Sequence, residues 1–317
     1  MTDPLIEKLL LAQVQEQRLA RRWSMVRRLL SLAVVIWLAW IVFARGPSLS
    51  GADVSSGPHT AVIEVKGVIE ADGEADGLMI MQALAEAFES KEAKGIVLRL
   101  NSPGGSPVQA GMVFDEIRRL KAAQPDKPVI AVVEDVAASG GYYIAAAADE
   151  IYVNQASLIG SIGVRMDSFG FTEAMKKLGV ERRLLTAGDN KAMLDPFLPQ
   201  KPEHQAAMRR MIQEVHGQFI EAVRKGRGDR LKAPEPTAEV FSGMVYTGNR
   251  GIEMGLADGL GNVQSVARDR IKAEALVDYS LTPSLAERLA QRFGASAAQA
   301  FYGLLKTSAE GLGRVGP

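Results

Sequence analysis

From residue 61 onward, short β-branched segments alternate with stretches of helical period, and this alternation narrows the possible folds more than any other feature of the chain. AVIEVKGVI (61–69), GIVLRLN (95–101), PVIAVVE (128–134) and EIYVN (150–154) read as strands. Between them, residues 78–89, 107–123 and about 140–148 read as helices, the second entered through Pro107, where a missing N–H does no harm. A further helix is expected at 171–178 and a further strand at VERRLLT (180–186). Residues 201–226, 237–243, 248–255 and 262–275 look mostly helical. Strands separated by crossover helices predict an α/β fold with a mostly parallel sheet.

Ahead of this region lies LLSLAVVIWLAWIVFA (29–44), sixteen residues without a charge. As a helix it rises roughly 24 Å, at the short end of what spans a bilayer. Trp23, Trp37 and Trp40 suit interfacial anchoring. Residues 1–28 carry Lys8, Arg18, Arg21, Arg22, Arg27 and Arg28 against Asp3, Glu7 and Glu16, whereas only Arg45 follows the run immediately. That asymmetry predicts one N-terminal transmembrane helix, the N-terminus in the cytoplasm and everything after Arg45 on the far side. A cleaved signal peptide competes, since Val42-Phe43-Ala44 ends on small residues at suitable offsets, but a 28-residue leader before the apolar run argues for a retained anchor. RGPSLSGADVSSGP (45–58) reads as a linker, 59–275 as the folded domain, and 276–317, rich in Ala, Leu and Gly, as an extension of unassigned role.

Formal net charge is zero, so no global basic field invites nucleic acid. The chain has no cysteine, which excludes a thiol nucleophile, thiolate metal sites and disulfides. No motif calls for a metal or a cofactor.

Two glycine-rich turns stand where strands give way to helices. In Asn101-Ser102-Pro103-Gly104-Gly105, paired glycines let backbone amides approach a ligand and converge on a developing oxyanion, although the same letters also spell an ordinary turn. In Ala138-Ser139-Gly140-Gly141-Tyr142-Tyr143, Ser139 is either an N-cap or a nucleophile, with the Gly140 amide as a second oxyanion donor. A nucleophilic serine needs a base. His59, His204 and His216 have no motif around them and read as solvent-exposed structural residues. A lysine serves if its ammonium is desolvated enough to lose its proton near neutral pH. Lys191 lies in TAGDNKAMLDPF (186–197), where Ala192, Met193, Leu194 and Phe197 could form an apolar wall; the default for a lysine is a solvated surface position.

The ordered set NSPGG, ASGGYY, SLIGSIGV, AGDNKAMLDPF and FSGMVYTGNRGIEMGLADGLG resembles the signal peptide peptidase A (protease IV) family in its short, single-domain form, over about residues 60–275. The resemblance implies a Clp-protease/crotonase-like α/β fold and a Ser-Lys dyad. It implies Ser139 as nucleophile, Lys191 as general base and Ser161 as the serine that orients the lysine, with oxyanion or substrate contacts from Gly104, Gly105 and Gly140. Asp189 and Asp195 flank Lys191, and both carboxylates must then point away from it. The family implies a ring of subunits, eight by resemblance, with serine and lysine meeting across a subunit boundary. It implies remnant signal peptides and other apolar peptides as substrates, and a place in the bacterial inner membrane with the catalytic domain outside the cytoplasm. Other readings are a SohB-type inner-membrane peptidase with different substrates, a catalytically silent membrane scaffold, and a crotonase-like acyl-CoA enzyme. The last would need a carboxylate near the oxyanion site.

Overall fold

The computed structural model describes residues 57–232 and 239–281, together with Trp23, Leu30 and Ala33. The anchor expected at 29–44 otherwise lies outside the described residues. The compact unit spans Gly51–Thr282.

Its centre is a sheet. Strand β1 (His59–Ile69) is followed by helix α1 (Gly77–Glu89), β2 (Ala93–Gly105), α2 (Pro107–Ala123), β3 (Val129–Ala138), the short α3 (Gly140–Ala145), β4 (Glu150–Val153) and β5 (Leu158–Gly160). After α4 (Thr172–Leu178) and the long α5 (Pro202–Arg227) come β6 (Val245–Thr247), α6 (Gly248–Met254), β7 (Gly259–Leu260), α7 (Val263–Val266) and β8 (Leu276–Asp278). The sheet runs β6-β5-β3-β2-β1-β8, with β4 on β3 and β7 on β4. Every pairing is parallel except β5 with β6.

Strands covered on both faces should be apolar throughout rather than alternating. β2 fits: Ile96, Val97, Leu98 and Leu100 are all fully buried. One face packs Ile63, Val65, Leu98 and Val133 against α1 and α2 residues such as Leu84, Phe88, Val113 and Ile117. The other packs Val62, Val97, Ile130 and Val132 under Val263, Val266 and Ile271. α1 starts where the Asp76 carboxylate accepts from the Leu78 and Met79 amides, and α2 where Ser106 accepts from Gln109.

β4 and β5 lie one after the other along the same edge of β3, β4 against Ile130–Val132 and β5 against Val136–Ala138. Ser157 holds the step between them. Its hydroxyl donates to the Glu134 carbonyl at 2.5 Å and accepts from the Asn154 amide at 2.9 Å. This puts the end of β5 beside the end of β3, where Ser139 sits. The C-terminal turns of α5 close the other side: a Cβ on Gly226 would lie 1.8 Å from the Ala146 carbonyl oxygen, so this helix meets the turn after α3 backbone to backbone. Arg227, whose side chain is fully buried, locks the contact with bonds of 2.8 and 2.9 Å to the two oxygens of Asp258.

Two sequence expectations need correction. VERRLLT (180–186) forms no strand; it has no neighbouring strand to bond, and Leu185 is 100% exposed. The folded domain does not stop at 275, because β8 pairs with β1 and the Tyr279 amide donates to the Val62 carbonyl. The segment that follows β5 is unusual in another way: from Gly163 to Gln218 not one residue is buried.

Candidate active site

Ser139 follows β3 with φ 52° and ψ −122°, a backbone conformation that residues other than glycine rarely adopt. Holding it there costs about 1–3 kcal/mol and needs support from the surroundings. Two backbone bonds supply it. The Ser139 amide donates to the Gly160 carbonyl at 2.9 Å, and its carbonyl accepts from the Tyr143 amide at 2.9 Å. The hydroxyl makes no capping bond to α3. The N-cap alternative is thereby removed: this serine is bent sharply at a helix start, and its oxygen is not spent on the helix.

The Gly104-Gly105 turn lies against it. A Cβ on Gly104, whose φ is +101°, would come within 2.7 Å of both the Gly140 nitrogen and the Ser139 Cβ. A Cβ on Gly140 would lie 3.2 Å from the Gly105 nitrogen. The amides of Gly105 and Gly140 therefore flank the serine at close range, an arrangement suited to a developing oxyanion. Ser102, fully buried, stiffens the turn: its hydroxyl donates to the Gly67 carbonyl at 2.6 Å and accepts from the Gly104 amide at 3.1 Å.

These groups open onto a cavity of about 840 Å³ lined by Gly104, Gly105, Ser139, Gly140 and Ser161, with apolar walls from Met211, Val215 and Phe219 among others. Tyr143 stacks on Phe219 at 4.7 Å between centroids, and burial pushes its phenol above the ordinary range, so it stays neutral. No carboxylate is among the described residues lining this space. Ser161 also has a positive φ, 51°, and its amide donates to the Met244 carbonyl at 2.7 Å. The FSGMVYTG stretch thus supports Ser161 from the residue just before β6.

Five of the six expected site residues converge here. Lys191 does not. It is exposed, stands in a loop between α4 and α5, and does not line the cavity. Of the two carboxylates that flank it, Asp195 is engaged elsewhere. Asp195 accepts from the Phe197 amide and from Arg182 at 2.9 Å, and those bonds, the amide first, hold its carboxyl below the ordinary carboxylate range. Phe197 in turn stacks on Phe171 at 5.4 Å.

The histidines depart from the solvent-exposed reading. His59 is buried, bonded to the Gly57 carbonyl and the Tyr279 hydroxyl. His216 is half-buried with its Nε2 3.1 Å from the Ile162 carbonyl. Neither Ser102 nor His216 stood out in the sequence. Ser102 was legible only as one letter of a turn, and His216 carried no local signal at all.

Comparison with known proteins places this geometry in context. The family model described as peptidase family S49 matches residues 121–278. The chain is 45% identical over 197 residues to a Brucella melitensis protein named as the Na(+)/H(+) antiporter NhaA; the match covers 61% of this chain but only 26% of that protein. A protein of Enterococcus faecium, provisionally named a signal peptide peptidase SppA, is 30% identical over 227 residues, 69% of this chain and 64% of the relative. A Synechocystis protein provisionally named a protease is 31% identical over 201 residues, 63% of this chain and 69% of the relative. The chain therefore spans about a quarter of the Brucella protein's length and less than two thirds of the Enterococcus one.

Proposed function

From the premise that this chain belongs to peptidase family S49, as a protease of the signal peptide peptidase A kind, we propose that it is a serine endopeptidase acting through Ser139 and Lys191. The observation that carries the reading is Ser139 itself: strained, free of any capping bond, and flanked by the Gly105 and Gly140 amides in one cavity with Ser161.

The exposure of Lys191 supports a dyad shared between protomers. A run from Gly163 to Gln218 with no buried residue, bearing Phe169 and Leu178 at more than three-quarters exposed, has large apolar surface left for a second copy to cover. Seated against a neighbour, Lys191 would lose water and gain the serine hydroxyl as partner. The family pattern gives a closed ring, eight subunits by resemblance.

In the reaction, the neutral Lys191 amine takes the Ser139 proton as the oxygen attacks the peptide carbonyl, and the Gly105 and Gly140 amides bond the oxyanion. Ser161 bonds the lysine and fixes its direction. The lysine ammonium then gives its proton to the leaving amine, and water, deprotonated by the same lysine, hydrolyses the acyl-enzyme. No metal or cofactor takes part.

The apolar walls at Met211, Val215 and Phe219 favour apolar peptides, of which remnant signal peptides are the class we propose. An anchor at 29–44 would hold the site beside the bacterial inner membrane on its outer side, close to such substrates. The absence of a carboxylate among the described cavity residues favours this chemistry over that of a crotonase-like enzyme.

The test compares the full chain with Ser139→Ala and Lys191→Ala on an apolar peptide substrate. Both variants should fold and assemble normally yet lose about 10⁴-fold or more in turnover. Substantial activity in either variant would remove that residue from the mechanism.

A further inference from the structure

We infer that His216 is a positioning residue for Ser161, and this rests on the role given to Ser161 above. Ser161 has φ 51°, so its conformation is not one it would hold unaided. The turn is gripped at two points. On one side Met244, just before β6, accepts the Ser161 amide at its carbonyl, 2.7 Å away. On the other, α5 presents His216, whose Nε2 lies 3.1 Å from the Ile162 carbonyl. A carbonyl only accepts, so Nε2 carries the hydrogen. The Ile162 side chain is fully buried, which leaves the His216 bond to fix the orientation of the peptide unit that follows it.

The location gives this bond its meaning. His216 sits between Val215 and Phe219, two α5 residues that line the cavity, while Ser161 and Gly163 line it from the opposite strand end. The His216 side chain thus ties the helix to the Ser161 turn just before Phe219, where α5 begins to be buried. Where the cavity wall passes from the half-buried part of this helix to the strained turn, the bond joins the two. Loss of the bond frees the peptide plane after Ile162 and with it the hydroxyl direction of Ser161. Ground-state binding of an extended peptide, spread over the whole cavity, is little affected.

Three variants of the full chain test this: His216→Phe, which keeps a ring but not the donor; His216→Gln, whose amide restores a donor; and His216→Phe combined with Ser161→Ala. The expected result is a roughly 10-fold lower kcat for His216→Phe with KM within about twofold and unchanged assembly and Tm, recovery to within about threefold in His216→Gln, and a double variant no slower than Ser161→Ala alone. A wild-type kcat in His216→Phe overturns the inference, and so does equal loss in Phe and Gln or a double variant slower by the product of the two. A rise in KM alone assigns His216 to peptide binding and overturns it too. Ser139→Ala assayed beside them separates the failures: activity there removes Ser139 and the site built on it, whereas an inactive Ser139→Ala with an unaffected His216→Phe sinks only this inference.

Discussion

Ser139 and Gly160 are joined backbone to backbone, the amide of the first donating to the carbonyl of the second across 2.9 Å. That bond is the last rung between β3 and β5, and the residue after Gly160 is Ser161. One ladder thus sets both serines, each at a positive φ, on the same cavity. β5 reaches this place only because Ser157 turns the chain along the β3 edge. The site follows from strand register before any side-chain chemistry is considered.

The Gly104 turn leaves no room for a side chain. Gly104→Ala would push a methyl to within 2.8 Å of the Ala138 carbonyl oxygen, the Gly140 nitrogen and the Ser139 Cβ, at a φ of +101°. Kcat should fall by about 10²-fold or more, as for loss of an oxyanion donor. Steady-state kinetics beside a thermal melt checks this; unchanged kcat would mean the turn is not part of the oxyanion site.

Ser102 supports that turn from beneath. Ser102→Ala removes the donor to Gly67 and the acceptor for Gly104 in a fully buried position. It should cost about 1–3 kcal/mol of stability by leaving buried polar groups unpaired. Kcat should fall as well, by less than for Gly104→Ala. Denaturant unfolding and kinetics on the same preparation separate the two effects.

Arg227 and Asp258 fasten the end of α5 to the sheet. Burial alone would push the Asp258 carboxyl up, but the Arg227 bonds and charge, the Ile151 amide and Arg230 outweigh it and hold the carboxyl below its ordinary value. A carboxyl depressed in the folded state contributes stability above its unfolded value, near pH 4, and loses it as pH falls through the folded value. Arg227→Met should destabilise the protein by about 3 kcal/mol at neutral pH and flatten the fall in stability below about pH 4. Unfolding measured from pH 3 to 7 checks both the loss and the slope.

The sheet was legible where strands are long and buried. AVIEVKGVI and GIVLRLN carry enough apolar period to declare themselves, and Pro107 marks the start of α2 to the residue. β5 and β6, three residues each, are too short to show a period, yet they position Ser161. VERRLLT misled for the opposite reason: its leucines signal burial, yet Leu185 is fully exposed. Ser139 was visible as a candidate but not its strained φ, which arises from the β3–β5 register. Lys191 was visible only through its motif, since nothing local distinguishes it from a solvated lysine.

The most direct test of the account mixes protomers. Ser139→Ala and Lys191→Ala chains, each inactive, are unfolded together, reassembled and assayed on an apolar peptide beside each variant alone. If serine and lysine meet across a boundary, mixed assemblies hold sites with both groups intact, and roughly a quarter of wild-type turnover should return. No recovery in verified mixed assemblies, or full activity in a wild-type protomer held monomeric, would contradict it.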